Sequence, residues 1–173
     1  MQRYIMKYGD PVLERPGQCV PDAEFGSPEL KQLVEDMFET MWANKGIGLA
    51  APQVAVSKRV TVIDTSAGQD PEAKLVLINP EIVHKEGIQV GEEGCLSIPG
   101  FREDVTRAMK VKIRARDADG NPVEAEGTEM LARAMQHEVD HLNGVLFLQH
   151  LSPLKRDLIR RKIRKLQKAG EWK

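Results

Sequence analysis

The sequence predicts an α+β fold, with mixed or antiparallel β-sheets packed around a central helix and a further helix at each end of the chain. Three observations carry this. Runs rich in β-branched residues gather in the middle of the chain, at 59–64, 74–79 and 110–126. Apolar residues at helical spacing lie before and after them. Glycine and proline punctuate the joins, with no repeat and no low-complexity linker, so residues 1–173 read as one domain.

Residues 1–26 hold Gly9, Pro11, Pro16, Gly17, Pro21 and Gly26, and read as an irregular segment wrapping the surface. The first helix opens at Ser27-Pro28, an N-cap followed by a first-turn proline. Leu30, Val34, Met37, Phe38, Met41 and Trp42 form one apolar stripe, and Gly46 is the expected stop. Stretches 59–64 and 74–79 read as strands. The alternation of apolar and charged residues over 110–116, followed by a turn at 117–122, reads as a hairpin. A second helix is expected from about Thr128 to Leu142, and a third from Ser152-Pro153 to about Lys168.

Composition narrows the function. Apolar residues make up 41% of 173 residues and aromatics 5%, so the core is aliphatic. The formal net charge of −1 gives no general affinity for nucleic acid. No apolar run approaches the roughly 18 residues of a membrane helix. The N-terminus lacks the apolar stretch of a secretory signal. With only Cys19 and Cys95, both expected to be reduced thiols, the expected location is the cytoplasm.

The chemistry gathers at His137, Glu138, Val139, Asp140 and His141. Histidines four apart on a helix share a face and can hold one ion together. Glu138, beside the first of them, reaches a water on that ion without being a ligand. A catalytic site needs a third ligand. The residues after His141 do not supply the downstream pattern of the common zinc peptidases, since Phe147 stands where that pattern requires histidine. Cys95, between Gly94 and Gly100 in a segment read as flexible and able to approach closely, is the better candidate. His84 and His150 lack such partners and read as structural.

Three segments in order, 46–53, 93–97 and 137–141, with Gln136 ahead of the last and Tyr8 to Leu13 at the start, resemble the peptide deformylases, of the bacterial type common in Gram-negative organisms and organelles. The resemblance covers nearly the whole chain. It implies removal of the formyl group from the formylmethionine of new polypeptides, with Cys95, His137 and His141 on the metal and Glu138 as acid and base. It also implies that the Gln53 amide and the Leu96 backbone N–H stabilise the developing oxyanion, and that the native ion is Fe2+, although the donor set suits Zn2+, Ni2+ and Co2+ as well. Gly46, Ile47 and Gly48 read as a strand edge to which a peptide can pair. Ile47, Met130 and Ala134 are candidate walls of a methionine pocket. Arg133, one turn before His137, reads as pocket mouth or, slightly favoured, as solvated. Glu93, Arg102 and Arg107 read as orienting partners of the ligands or, equally, as structural ion pairs.

The third helix carries eight basic residues against one acid, Asp157, over 153–168. Leu154, Leu158, Ile159, Ile163 and Leu166 give it an apolar face to hold it to the domain. It reads as a solvated amphipathic helix or, following the resemblance, as a ribosome-docking element. Two other readings stand beside the main one: a generic metallopeptidase with the same helix motif, and an inactive ribosome-binding relative.

Overall fold

A computed structural model describes all residues, 1–173. The first helix, α1 (Pro28–Ala43), starts as its sequence dictates: Ser27 Oγ accepts the Leu30 N–H at 3.2 Å. It buries Leu30, Leu33, Val34, Met37, Phe38 and Met41. The stop differs from expectation. The helix ends before Gly46, and it is Lys45 that takes the left-handed conformation, at φ 58°. Gly46 then donates its N–H back to Met41 O at 2.9 Å.

Five strands form one antiparallel sheet: β1 (Gly48–Ala50), β2 (Val60–Ile63), β3 (Leu75–Glu86), β6 (Lys110–Arg116) and β7 (Pro122–Thr128), in the order β1-β2-β3-β6-β7. Short β1 is therefore an outer strand. β3 runs on to Glu86, past the expected end at 79. Pro80 lacks an N–H for the ladder, and Asn79 takes φ 51°, so the strand bulges there and then resumes. The Asn79 side chain fixes the bulge by accepting from Val20 N at 2.8 Å and donating to Val20 O at 2.9 Å.

The remaining strands, β4 (Gln89–Cys95) and β5 (Ile98–Arg107), pair only with each other. This corrects the expectation of a flexible segment around Cys95. Gly91, Glu92, Glu93 and Gly94 have weak β-propensity, and their partners on β5 impose the extended form. Cys95 faces Ile98 at the hairpin's tight end.

The second helix, α2 (Glu129–Leu142), packs against β1, β2, β6 and β7. Its apolar residues Ala132, Ala134, Met135 and Val139 join Ile63, Leu77, Val111 and Ile113 in one core. It stops at Asn143, followed by Gly144 at φ 76°, where a Cβ would come within 2.8 Å of Glu14 O. The N-terminal segment is more than a surface wrap. Leu13 is fully buried, and Met6 and Tyr8 donate their N–H groups to Gln53 O at 2.7 Å and Ser97 O at 2.8 Å. This segment thus ties the Gln53 loop to the Cys95 hairpin.

The last helix, α3 (Pro153–Lys168), starts with Ser152 Oγ accepting from Lys155 N at 3.3 Å. Only part of its expected apolar face is used. Ile159 and Ile163 enter a core with Leu13, Ile98 and Phe147, whereas Leu154 and Leu158 remain 72% and 47% exposed.

Candidate metal centre and catalytic cleft

One turn of α2 separates His137 and His141, and their Nε2 atoms lie 3.1 Å apart. Cys95 Sγ, carried in at the end of β4, lies 3.3 Å from His141 Nε2. Donors around one tetrahedral ion, with bonds of about 2.0–2.3 Å, are separated by roughly 3.3–3.6 Å. These three atoms therefore fit the ligands of a single ion. Glu138 is buried at the same place, and its Oε2 has no hydrogen-bond partner. A buried carboxylate oxygen with no partner is costly, which points to a site completed by something besides protein.

The tautomer of His137 is fixed from behind. Its Nδ1 lies 2.7 Å from Glu93 Oε1, so Nδ1 would keep its hydrogen when an ion takes the place of the proton on Nε2. Glu93 is held in turn by Arg107, through contacts of 2.8 and 2.9 Å, and by Arg133 at 2.7 Å. Arg107 continues to Asp140 Oδ2 at 2.6 Å, and His150 Nε2 lies 2.8 Å from the same oxygen. Burial alone would raise the pKa of the Glu93 carboxyl. The hydrogen bonds and charges of Arg107 and His137 outweigh it and hold Glu93 well below the usual carboxylate range.

The same balance sets the charge at the front. Burial pushes the Cys95 thiol up, but the charge of His141 and hydrogen bonds from both histidines bring its pKa down to about 5, so it is a thiolate. Burial favours neutral His137, yet its bonds to Cys95 and Glu93 raise its pKa well above the ordinary value. Groups that hold a proton so firmly between them also draw a divalent cation into its place. Burial raises the pKa of Glu138, with the histidines opposing and Cys95 and Glu93 adding to the rise. A carboxyl raised in this way is suited to carrying a proton.

Gln53 is presented by a short 3-10 turn, Ala51–Val54. Its Oε1 accepts from Ala50 N at 2.9 Å, which turns Nε2 toward Ser97 Oγ at 3.1 Å and Cys95 Sγ at 3.5 Å. Gly48 on β1 leaves no room for a side chain, since a Cβ there would lie 2.6 Å from Glu138 Oε1. Gly46 is similarly close to Leu96, whose Cδ1 would be 2.8 Å from an added Cβ.

A cleft of about 810 Å³ brings Gly46, Ile47, Gly48, Gln53, Cys95, Leu96, Met130, Arg133, Ala134, His137 and Glu138 onto one surface. His141 sits behind it, 1% exposed. Met130 is 53% exposed at the first turn of α2, whereas Ala134 is buried. One reading of the arginines is corrected, and for Arg102 the ion-pair alternative is the one observed. Arg133 is not solvated: its side chain is 12% exposed, paired with Glu93, and donates to Val105 O at 2.9 Å. Arg102 does not orient a ligand; it forms an exposed pair with Glu92. Sequence reasoning did not single out Asp140, Ser97 or the His150–Asp140 contact. Asp140 and Ser97 lie inside the quoted segments, which was the available signal.

Comparison with known proteins agrees with this geometry. The family model described as polypeptide deformylase matches residues 2–157. The chain belongs to that family. A peptide deformylase of Acidobacterium capsulatum is 59% identical over 172 residues, covering 99% of each chain. The crystal structure of a peptide deformylase from Legionella pneumophila superposes with a TM-score of 0.90 at 42% identity, covering 100% of this chain and 99% of that one. One from Plasmodium falciparum gives a TM-score of 0.86 at 36% identity over 95% of each chain. This deformylase-family chain is a hydrolase of α+β fold with a site for a metal ion. None of its helices is long and apolar enough to cross a membrane.

Proposed function

We propose that the chain hydrolyses the N-formyl group from the N-terminal formylmethionine of new polypeptides and releases formate, with Glu138 moving the proton. One observation carries this reading: Glu138 Oε2 is buried without a partner beside the Cys95, His137 and His141 donor atoms. An ion held by those three residues supplies Lewis acidity and lets water ionise near neutral pH. Glu138 takes a proton from the attacking water and passes it to the departing amine. Gln53 Nε2 and the Leu96 N–H donate to the formyl oxygen as it gains negative charge. The segment Gly46, Ile47 and Gly48, leading into β1, pairs with the peptide backbone. Ile47, Met130 and Ala134 receive the methionine side chain, and Arg133 braces that wall through Glu93. Iron(II) is the proposed native ion, on the strength of the family resemblance; Zn2+, Ni2+ and Co2+ suit the same donors.

The remaining proposals concern context. Residues 1–173 act as one domain, in the cytoplasm, and α3 docks on the ribosome through its exposed cations, supported by the eight basic residues against one acid. Formate release from formyl-Met-Ala by anaerobically purified protein, with metal content measured on the same sample, tests the main reading. Cleavage of an unformylated peptide without formate release from formyl-Met-Ala would overturn it.

A further inference from the structure

The charges along the rim of the cleft are unevenly paired. Glu92 is taken up by Arg102, and Glu93 by Arg107 and Arg133. Lys7 and Lys45 line the same cleft and have no carboxylate within 4.0 Å. Lys7 gives its ammonium to the backbone oxygen of Ile5 at 2.7 Å. Lys45 is exposed and stands at the turn between α1 and β1, one residue before the Gly46–Gly48 segment. Lys173 at the same rim brings an ammonium and a terminal carboxylate that offset each other, so Lys7 and Lys45 leave the rim with positive charge that has no carboxylate within 4.0 Å, although the chain as a whole has a net charge of −1.

Distance along the edge says which part of a substrate meets that charge. Glu138 marks the reacting end and touches the space over Gly48. Lys45 is three residues away along the chain, a span of at most about 10 Å that the left-handed turn at Lys45 shortens. A peptide laid along Gly46–Gly48 with its formyl group at Glu138 thus comes within reach of the long Lys45 side chain by about the third residue after that group. Building on the deformylase reading, we propose that Lys45, with Lys7 adding to the field, makes the enzyme select substrates bearing Asp or Glu near the third position after the formyl group. Pairing across a solvated rim acts on capture of the peptide and leaves the chemical step alone, so it enters through KM.

The test compares kcat/KM for formyl-Met-Ala-Glu, formyl-Met-Ala-Ala and formyl-Met-Ala-Lys, each with an amidated C-terminus, at low and high salt. The wild-type protein should prefer the Glu peptide to the Lys peptide by about fivefold at low salt, the sum of one attraction and one repulsion of the size exposed ion pairs show. The preference should reside in KM and shrink at about 1 M salt, where screening reaches about 3 Å. Lys45→Glu should reverse the order, and Lys7→Gln should reduce the preference without reversing it. These are ratios within one preparation, so a loss of folded protein does not imitate them. Equal kcat/KM for the Glu and Lys peptides in the wild type, with the Ala peptide hydrolysed, overturns the selectivity alone. A preference that survives Lys45→Glu unchanged does the same. Absence of formate from all three peptides overturns the deformylase reading and the selectivity with it.

Discussion

Helices α2 and α3 are both amphipathic, yet they use their polar residues in opposite ways. α2 buries Gln136, His137, Glu138 and His141 beside Ala132, Met135 and Leu142. α3 buries only Ile159 and Ile163 and leaves most of its charges in water. In α2 each buried polar group needs a defined partner, because leaving one unmatched costs several kcal/mol. In α3 no charge needs one. The comparison teaches that a polar face inside the molecule is a commitment to geometry, whereas a polar face outside is only a commitment to sign.

The sharpest way to break the comparison is at its most committed residue. Glu138→Ala should lower kcat by about a hundredfold to ten-thousandfold, the usual size of a lost acid–base group, while circular dichroism and bound metal stay as in the wild type. Retained activity would remove Glu138 from the reaction. Next in size is the partner behind the ligands. Glu93→Ala leaves Arg107 and Arg133 without their buried carboxylate, and should cost about 3–5 kcal/mol in denaturant unfolding. It should also weaken metal affinity by roughly ten- to a hundredfold, read by competition with a chelator. A loss of stability below 1 kcal/mol would mean that the ion pairs are not formed in solution.

On α3 the largest cost lies with its apolar anchors. Ile163→Ala should destabilise by about 2–4 kcal/mol, by loss of packing in the core that holds Leu13 and Phe147. Smallest of all, the double change Lys162→Glu with Arg164→Glu should move stability by no more than about 0.5 kcal/mol, as surface charges usually do. The same variant should lose co-sedimentation with ribosomes at low salt. Unchanged co-sedimentation of this folded protein would discard the docking role.

The difference between the helices also explains what could be read from the sequence. His137, Glu138 and His141 were legible because helical spacing is itself the geometry that joins them. The three helix starts were legible because serine or threonine precedes each. The β4–β5 hairpin was not: residues 91–94 carry little local preference for a strand, and the pairing partners lie up to 18 residues away, as Gln89 with Arg107 shows. Arg133 was misjudged for a similar reason. Nothing near it in sequence reveals that Glu93, 40 residues earlier, faces it at 2.7 Å. Cys95 became a candidate through its flanking glycines, the lack of a ligand after His141 and the family resemblance, and its placement depends on the hairpin register.

Gly48 carries one more consequence. The edge of β1 is open only as far as this glycine: Leu49 and Ala50 are fully buried, and Ala50 N is already bonded to Gln53 Oε1. A chain laid along the edge thus reaches a terminus of usable track at the Glu138 carboxylate. Past that point buried Leu49 and Ala50 leave no lane along which a polypeptide could continue. For the proposed reaction, a preference for a chain end over an internal bond would in this sense be a matter of road length, set by where the sheet sinks into the core.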